Sequence, residues 1–172
     1  MSVPVNNCSS SFNPDSTACI NCRKRNHSLL NDLNRDELKL LNENKQEVHY
    51  KAGETICKEG TSSPGLICLK QGKVKITRTA LNGNKQIVAL KKPVDFIGFS
   101  ALMRESQFEN SAIAMEDCCV CIIDKSAFFS VVENNKARAF KIIRYFAERL
   151  NESNLRQLNL TWWSRPRPST ED

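Results

Sequence analysis

The apolar positions of this chain change period along its length, and the change divides it. Between Lys51 and Asn110, short β-branched and apolar runs alternate with polar residues, and all six glycines fall there (Gly53, Gly60, Gly65, Gly72, Gly83 and Gly98). Glycine supplies the positive-φ positions that tight turns need, so runs punctuated this way read as a chain of hairpins closing into a small antiparallel barrel or jelly roll. Strands are expected through EVHY, ETICK, LICLK, KVKITRT and KQIVALK, with joins at Gln71-Gly72 and Asn82-Gly83. Asn-Gly between alternating runs is the strongest short hairpin signal a sequence offers. Pro93 and Asp95 interrupt the pattern before FIGFSALM, where Gly98 opens a short helical turn, and SAIAM and CCVCII supply further strands, for about eight in all.

On either side the period becomes helical. From Leu29 to Asn44 leucines recur at 30, 33, 38 and 41, and Asn34 with Glu37 makes a capping pair. Asp124 can cap a short helix over KSAFFSVVEN. From Asn135 to Trp162, Ile143, Ala147, Leu150, Asn154 and Leu158 share one face at near-heptad spacing, while Phe140, Ile142, Phe146 and Leu155 widen the apolar surface. A helix apolar on two faces has two partners: the barrel, and a copy of itself in a parallel pair whose register a polar Asn154 would set. The alternative is a broad surface lying in a groove of its own domain. The chain thus divides into an N-terminal cysteine-containing segment (1–28), a β-barrel domain (29–134), a long helix (135–162) that two prolines bring to an end, and a disordered tail (163–172).

At 172 residues this is one domain's worth of chain, and its 40% apolar and 26% charged residues are those of an ordinary globular protein. No apolar run approaches the ~20 residues that would span a bilayer. MSVPVNNCSS lacks the basic start and apolar core of a signal peptide, so a cytoplasmic location is expected, with no membrane partner. The net charge of +6 comes from positive residues scattered singly, which reads as solvated surface rather than a nucleic-acid face. Eight cysteines without an export signal favour reduced thiols, with metal or cluster ligation open, over a disulfide framework.

Cys19 and Cys22 form a CxxC, a spacing that lets two thiolates share a metal and that recurs in zinc, iron-sulfur and redox sites. Cys57, Cys68, Cys118, Cys119 and Cys121 fall in expected strands, where thiols pack as small hydrophobes. Alternation puts Cys119 and Cys121 on one side and Cys118 on the other. His27 and His49 do not make a barrel metal site, and a catalytic role is not expected.

The run AGETICKEG, then LICLKQGKVKI, NGNKQIVAL and DFIGFSALM, followed by a long helix, resembles the sensor domain of the cyclic AMP receptor protein and FNR (CRP/FNR) family of transcription regulators, over Leu29 to Leu160. The resemblance implies a cyclic-nucleotide-binding-like jelly roll, a long helix that forms a parallel homodimer, and DNA binding through a C-terminal winged helix-turn-helix. The residues after Trp162 cannot form that domain, so DNA contact is expected only through a part missing here.

In that family, cyclic-nucleotide binders carry Gly-Glu near the start of a phosphate cassette and Arg-Ser-Ala near its end. Here stand Gly98-Phe99-Ser100 and Asn110-Ser111-Ala112. Both charged positions are lost, and an uncompensated phosphate in a barrel pocket costs several kcal/mol. Cyclic AMP is therefore disfavoured, and Gly98, Phe99, Ser100, Ala101, Asn110 and Ser111 are candidates for a less charged ligand. Gly98-Phe99 looks like the FNR-like branch, which holds a four-iron four-sulfur cluster on four cysteines. The resemblance carries this onto Cys19, Cys22 and Cys121. The third position is Ser28, so another ligand would come from Cys8, His27 or Cys118 and Cys119. The implied function is a sensory domain that signals a ligand or redox state through its dimer helix. The alternative is a stand-alone ligand-binding module of the same fold with no part in transcription.

Overall fold

A computed structural model describes residues 29–80 and 83–163 of the chain. The first helix, α1 (Arg35–Glu43), begins later than the leucine spacing predicts because a capping box fixes its start. Asn34 Oδ1 accepts from the Glu37 N–H at 2.8 Å, and Glu37 Oε2 accepts from the Asn34 N–H at 2.9 Å. That reciprocal pair satisfies two of the N–H groups a helix start leaves open. Leu38 and Leu41 are buried from the helix, and Leu33 is buried from the turn before it.

Eight strands follow: β1 (Lys45–Tyr50), β2 (Thr55–Cys57), β3 (Gly65–Gln71), β4 (Val74–Thr79), β5 (Lys85–Lys91), β6 (Phe96–Ile97), β7 (Ser111–Ala114) and β8 (Cys118–Asp124). They form two four-stranded antiparallel sheets in the orders β1-β8-β3-β6 and β2-β7-β4-β5. This is the jelly roll among the two expected forms, and it corrects the chain of hairpins. Only β4 and β5 are neighbours both in sequence and in a sheet; the other neighbours are far apart in the chain.

The join at Gln71-Gly72 shows why. Gly72, at φ 95°, carries the chain from β3 in one sheet to β4 in the other, where a Cβ would lie 2.5 Å from Cys118 Sγ and 2.8 Å from the Asp117 carbonyl oxygen. The glycine is needed for a crossing between sheets as well as for its positive φ. The β4–β5 hairpin forms as expected, with Thr79 opposite Lys85 and a bulge beside Ile76; Asn82 at its tip lies outside the described residues.

Ile67, Leu69, Val74, Ile97, Ala112, Ala114 and Val120 fill the space between the sheets, where each isoleucine, leucine or valine is worth about 1.5–3 kcal/mol of burial relative to water. The outer face of the β8–β3 pair is covered by α1 and by α3 (Lys125–Glu133). Asp124 caps α3 as expected, accepting from the N–H groups of Ser126 at 2.8 Å and Ala127 at 3.3 Å; the Ser126 hydroxyl, which also donates to it, and then these N–H groups hold its carboxyl below the ordinary range. Between β6 and β7 lies a short helix, α2 (Phe99–Met103).

The chain divides into two compact units, Met1–Asn134 and Asn135–Asp172. The second contains α4 (Lys136–Trp163), 28 residues long, whose first turn is tied by the Arg138 N–H donating to Asn135 Oδ1 at 3.2 Å. Among the described residues no helix is long and apolar enough to cross a membrane. The expected N-terminal segment and tail lie outside the described residues, apart from Trp163 at the end of α4.

Candidate functional site

The segment from β6 to β7 is organised around Gly98, which lies at φ 64° and caps α2. A Cβ there would lie 2.1 Å from Phe108 Cε1, so the missing side chain leaves room for the Phe108 ring, itself buried in the core between the sheets. Phe99 is buried and stacks on Phe96 at 5.1 Å and edge-on against Phe128 of α3 at 5.9 Å. Such aromatic pairs contribute about 0.5–1.5 kcal/mol beyond their area.

Of the six candidate pocket residues, the structure therefore makes Phe99 a packing residue that ties α2 to α3. Ala101 joins the core and Ser100 is exposed. Ser111 Oγ accepts from the Glu59 N–H at 3.0 Å. Asn110 Oδ1 and Ser106 Oγ are buried without a hydrogen-bond partner among the described residues.

The charge of this segment is settled within it. Arg104 is the one lysine or arginine between Gly98 and Ala112, and its guanidinium pairs with Glu109 at the surface. The Arg104 hydrogen bond and charge hold the Glu109 carboxyl below its ordinary value. The segment thus offers a buried amide oxygen and a buried hydroxyl but no inward cation for a phosphate. Asn110 was legible in the sequence; Ser106 and Phe108 were missed, because no spacing rule marks which residues of a loop turn inward.

The strand cysteines fall into two environments. Cys57 and Cys118 belong to the core between the sheets. Burial pushes the Cys57 thiol up to about 11, and Cys118 Sγ donates to the carbonyl oxygens of Lys73 at 3.3 Å and Glu116 at 3.1 Å. Cys119 and Cys121 share the other face, as alternation requires, with Sγ 3.9 and 3.8 Å from the Glu47 carboxylate oxygens. Glu47 accepts from Lys70 Nζ at 2.8 and 2.9 Å and has Lys45 Nζ at 3.6 Å. Burial, then the Glu47 charge, pushes Cys119 up to about 11 and raises Cys121 as well.

An iron-sulfur ligand must be a thiolate. Cys121 sits where burial and a carboxylate both favour the thiol, and among the described residues no group of three or more His, Cys, Asp or Glu is arranged to hold a metal ion. The described residues therefore do not fit a cluster. Cys8, Cys19 and Cys22, with His27 and Ser28, lie outside them.

On α4, Ile143 is 62% exposed and Leu150 64%, and Ala147 and Asn154 are exposed beside them. Phe140, 69% exposed, continues the same 3-4 spacing toward the N-terminus, a place the sequence reading had given only to widening the surface. Leu155 is also exposed, and the Leu158 side chain lies outside the described residues. The edge strand β5 exposes Ile87, Val88 and Leu90, which the sequence reading did not single out.

A jelly roll with this segment between its sixth and seventh strands matches a known family. Residues 47–135, just over half of the chain, match the model described as "Cyclic nucleotide-binding domain", and the chain belongs to that family. Its relatives are CRP/FNR-type regulators. The cyclic AMP receptor protein of Thermus thermophilus is 27% identical over 106 residues, which are 62% of this chain and 49% of the relative. The nitrogen fixation regulation protein FixK of Bradyrhizobium diazoefficiens is 25% identical over 146 residues, 85% of this chain and 57% of the relative. The chain thus spans about half the length of the curated relatives it matches.

Among solved structures, the catabolite activator protein of Thermus thermophilus superposes with a TM-score of 0.66 at 26% identity, covering 77% of this chain and 62% of that one. The sensor domain of the transcriptional regulator DNR from Pseudomonas aeruginosa gives 0.70 at 16% identity, covering 80% and 93%, and supports the fold alone.

Proposed function

We propose that this chain is the sensory part of a CRP/FNR-type transcription regulator working in the cytoplasm. In this reading an effector at the barrel changes how α4 associates with a second copy, and a DNA-binding region outside the described residues responds. The observation that carries it is the exposed apolar row Phe140, Ile143 and Leu150 on α4, in a chain whose relatives are regulators. An unpaired heptad-spaced row of this kind is the natural seam of a two-helix pair, with Asn154 setting its register.

The effector is not a cyclic nucleotide in this reading, because Arg104, the segment's one cation, is engaged with Glu109 and Phe108 packs over Gly98. Its role is binding, not catalysis. Light scattering tests the association: a dimer at micromolar concentration is expected, and Leu150→Glu should weaken it at least a hundredfold by burying an unpaired charge. A strict monomer would remove the dimer and leave the stand-alone module. Titration calorimetry should show no cyclic AMP binding at micromolar ligand; saturable micromolar binding would overturn the effector clause.

A further inference from the structure

Between Gly60 and Val94 the chain carries seven lysines and arginines and no acidic residue. They are scattered in sequence, and the β4–β5 hairpin gathers four of them, Lys75 and Arg78 on one strand and Lys85 and Lys91 on the other. The Glu109 charge answers Arg78 in part. Lys75 and Lys85 have no ion pair among the described residues.

The register sets what stands beside these two cations. Ile76 and its partner Ala89 face the core between the sheets, as do Ala112 and Ala114 of β7. Alternation then turns Lys75, with its partners Leu90 and Ile113, to the outer face of the sheet. Ile87, opposite Thr77, and Lys85, opposite Thr79, fall on the same face. Leu90 and Ile87 are more than half exposed and Ile113 is partly buried. The outer face of the other sheet has α1 and α3 on it, whereas here an apolar surface lies open between two lysines.

Charge decides what fits there. A second copy's α4 is a poor match, because between Lys136 and Asn154 that helix carries five basic residues against two acidic ones, and like charges would meet. Nucleic acid would answer the lysines but leave Ile87 and Leu90 against hydrated phosphates. A bilayer would also bury the end strand β5, whose outward N–H and C=O groups find no partner in lipid. The extra residue Val88 bulges from that edge and blunts it against another strand, so contact is made by side chains on the face.

We propose that the outer face of the β4–β5 hairpin binds an acidic segment of another protein. Its apolar side chains cover Ile87, Leu90 and Ile113, and its carboxylates answer Lys75 and Lys85. The site goes beyond the reading above and requires neither the effector nor the pairing of α4.

The test is selection of a random short-peptide library on the full chain, followed by fluorescence anisotropy with the selected peptides. These should be enriched in Asp and Glu together with Leu, Ile or Phe. Lys75→Glu with Lys85→Glu should weaken their binding about tenfold or more, and high salt should weaken binding to the wild type. Ile87→Ser with Leu90→Ser should weaken it about tenfold or more at any salt. Should a variant misfold, amide shifts of the wild-type chain on adding a selected peptide still locate the site, and they are expected on β4 and β5. Selected peptides that are basic or uncharged, no enrichment at all, or shifts confined to other elements overturn the proposal. So does binding of the wild-type chain to phosphatidylglycerol vesicles that Ile87→Ser with Leu90→Ser abolishes, or a dimer that the same pair dissociates, since lipid or a second copy would then hold the face.

Discussion

Between β6 and β7, Gly98 makes room for Phe108, Phe99 packs on Phe96 and edge-on against Phe128, and Arg104 pairs with Glu109, so the aromatic and charged side chains of the segment find partners inside its own unit. Along α4, Phe140, Ile143, Leu150 and Leu155 stay more than half exposed. Both stretches are rich in large apolar side chains, yet one has met its needs and the other has not. An exposed apolar row on a helix is available to a partner, and in the proposed reading that partner is a second copy, whereas the same residue types in the barrel define its shape. The exposed apolar surface therefore lies on the helix and on the edge strand β5, outside the segment from β6 to β7.

The strongest way to break this contrast is to empty the barrel side. Phe108→Ala should lower the unfolding free energy by about 3–5 kcal/mol in urea titration, while Phe140→Ala, exposed in the isolated chain, should change it by less than about 0.5 kcal/mol under dissociating conditions. Equal effects would abolish the distinction.

A second measurement follows the buried Cys57. Its folded value near 11 exceeds the ordinary thiol value of about 8.5–9, so the folded barrel keeps a proton that the unfolded chain gives up. The resulting stability is complete below about pH 8.5 and is lost as pH rises toward 11, by about 2–3 kcal/mol. Cys57→Ala should flatten that part of the pH dependence, whatever it does to the level; an unchanged slope would place the proton elsewhere.

The smallest effect sharpens the surface side. Arg104 and Glu109 are 62% and 48% exposed, so Glu109→Gln should cost less than about 1 kcal/mol and less still in high salt. A larger loss would mean that the pair holds the loop in shape.

What could be read from sequence here is what acts over a few residues. Asn34 with Glu37, Asp124 and the hairpin around Gly83 all work within four positions of themselves, and all stand as read. Gly72 was misread because a positive-φ glycine serves a hairpin and a crossing between sheets equally well, and only the position of Cys118 decides which. The two-residue β6 is too short to show a period. The facing of Ile113 and Lys75 is set by strand order, on which no local pattern bears. At the candidate site the loss of the two charged positions was legible, but the inward turn of Phe108 and the outward pairing of Arg104 were not. Phe99 was given to a ligand because sequence shows a residue's place in a motif, not the face it presents.

The first and last strands of the barrel are paired along their length, from Lys45 against Ile123 to Tyr50 against Cys118, and β8 also separates β1 from β3. While the chain is being made, β1 therefore has no strand to bond, and β3 has only the two residues of β6, until residues 118–124 have left the ribosome. This sheet cannot be assembled piece by piece from its N-terminal end. Until the strand bearing Cys119 and Cys121 arrives, the nascent chain carries open edges, the period in which it most needs protection from its neighbours.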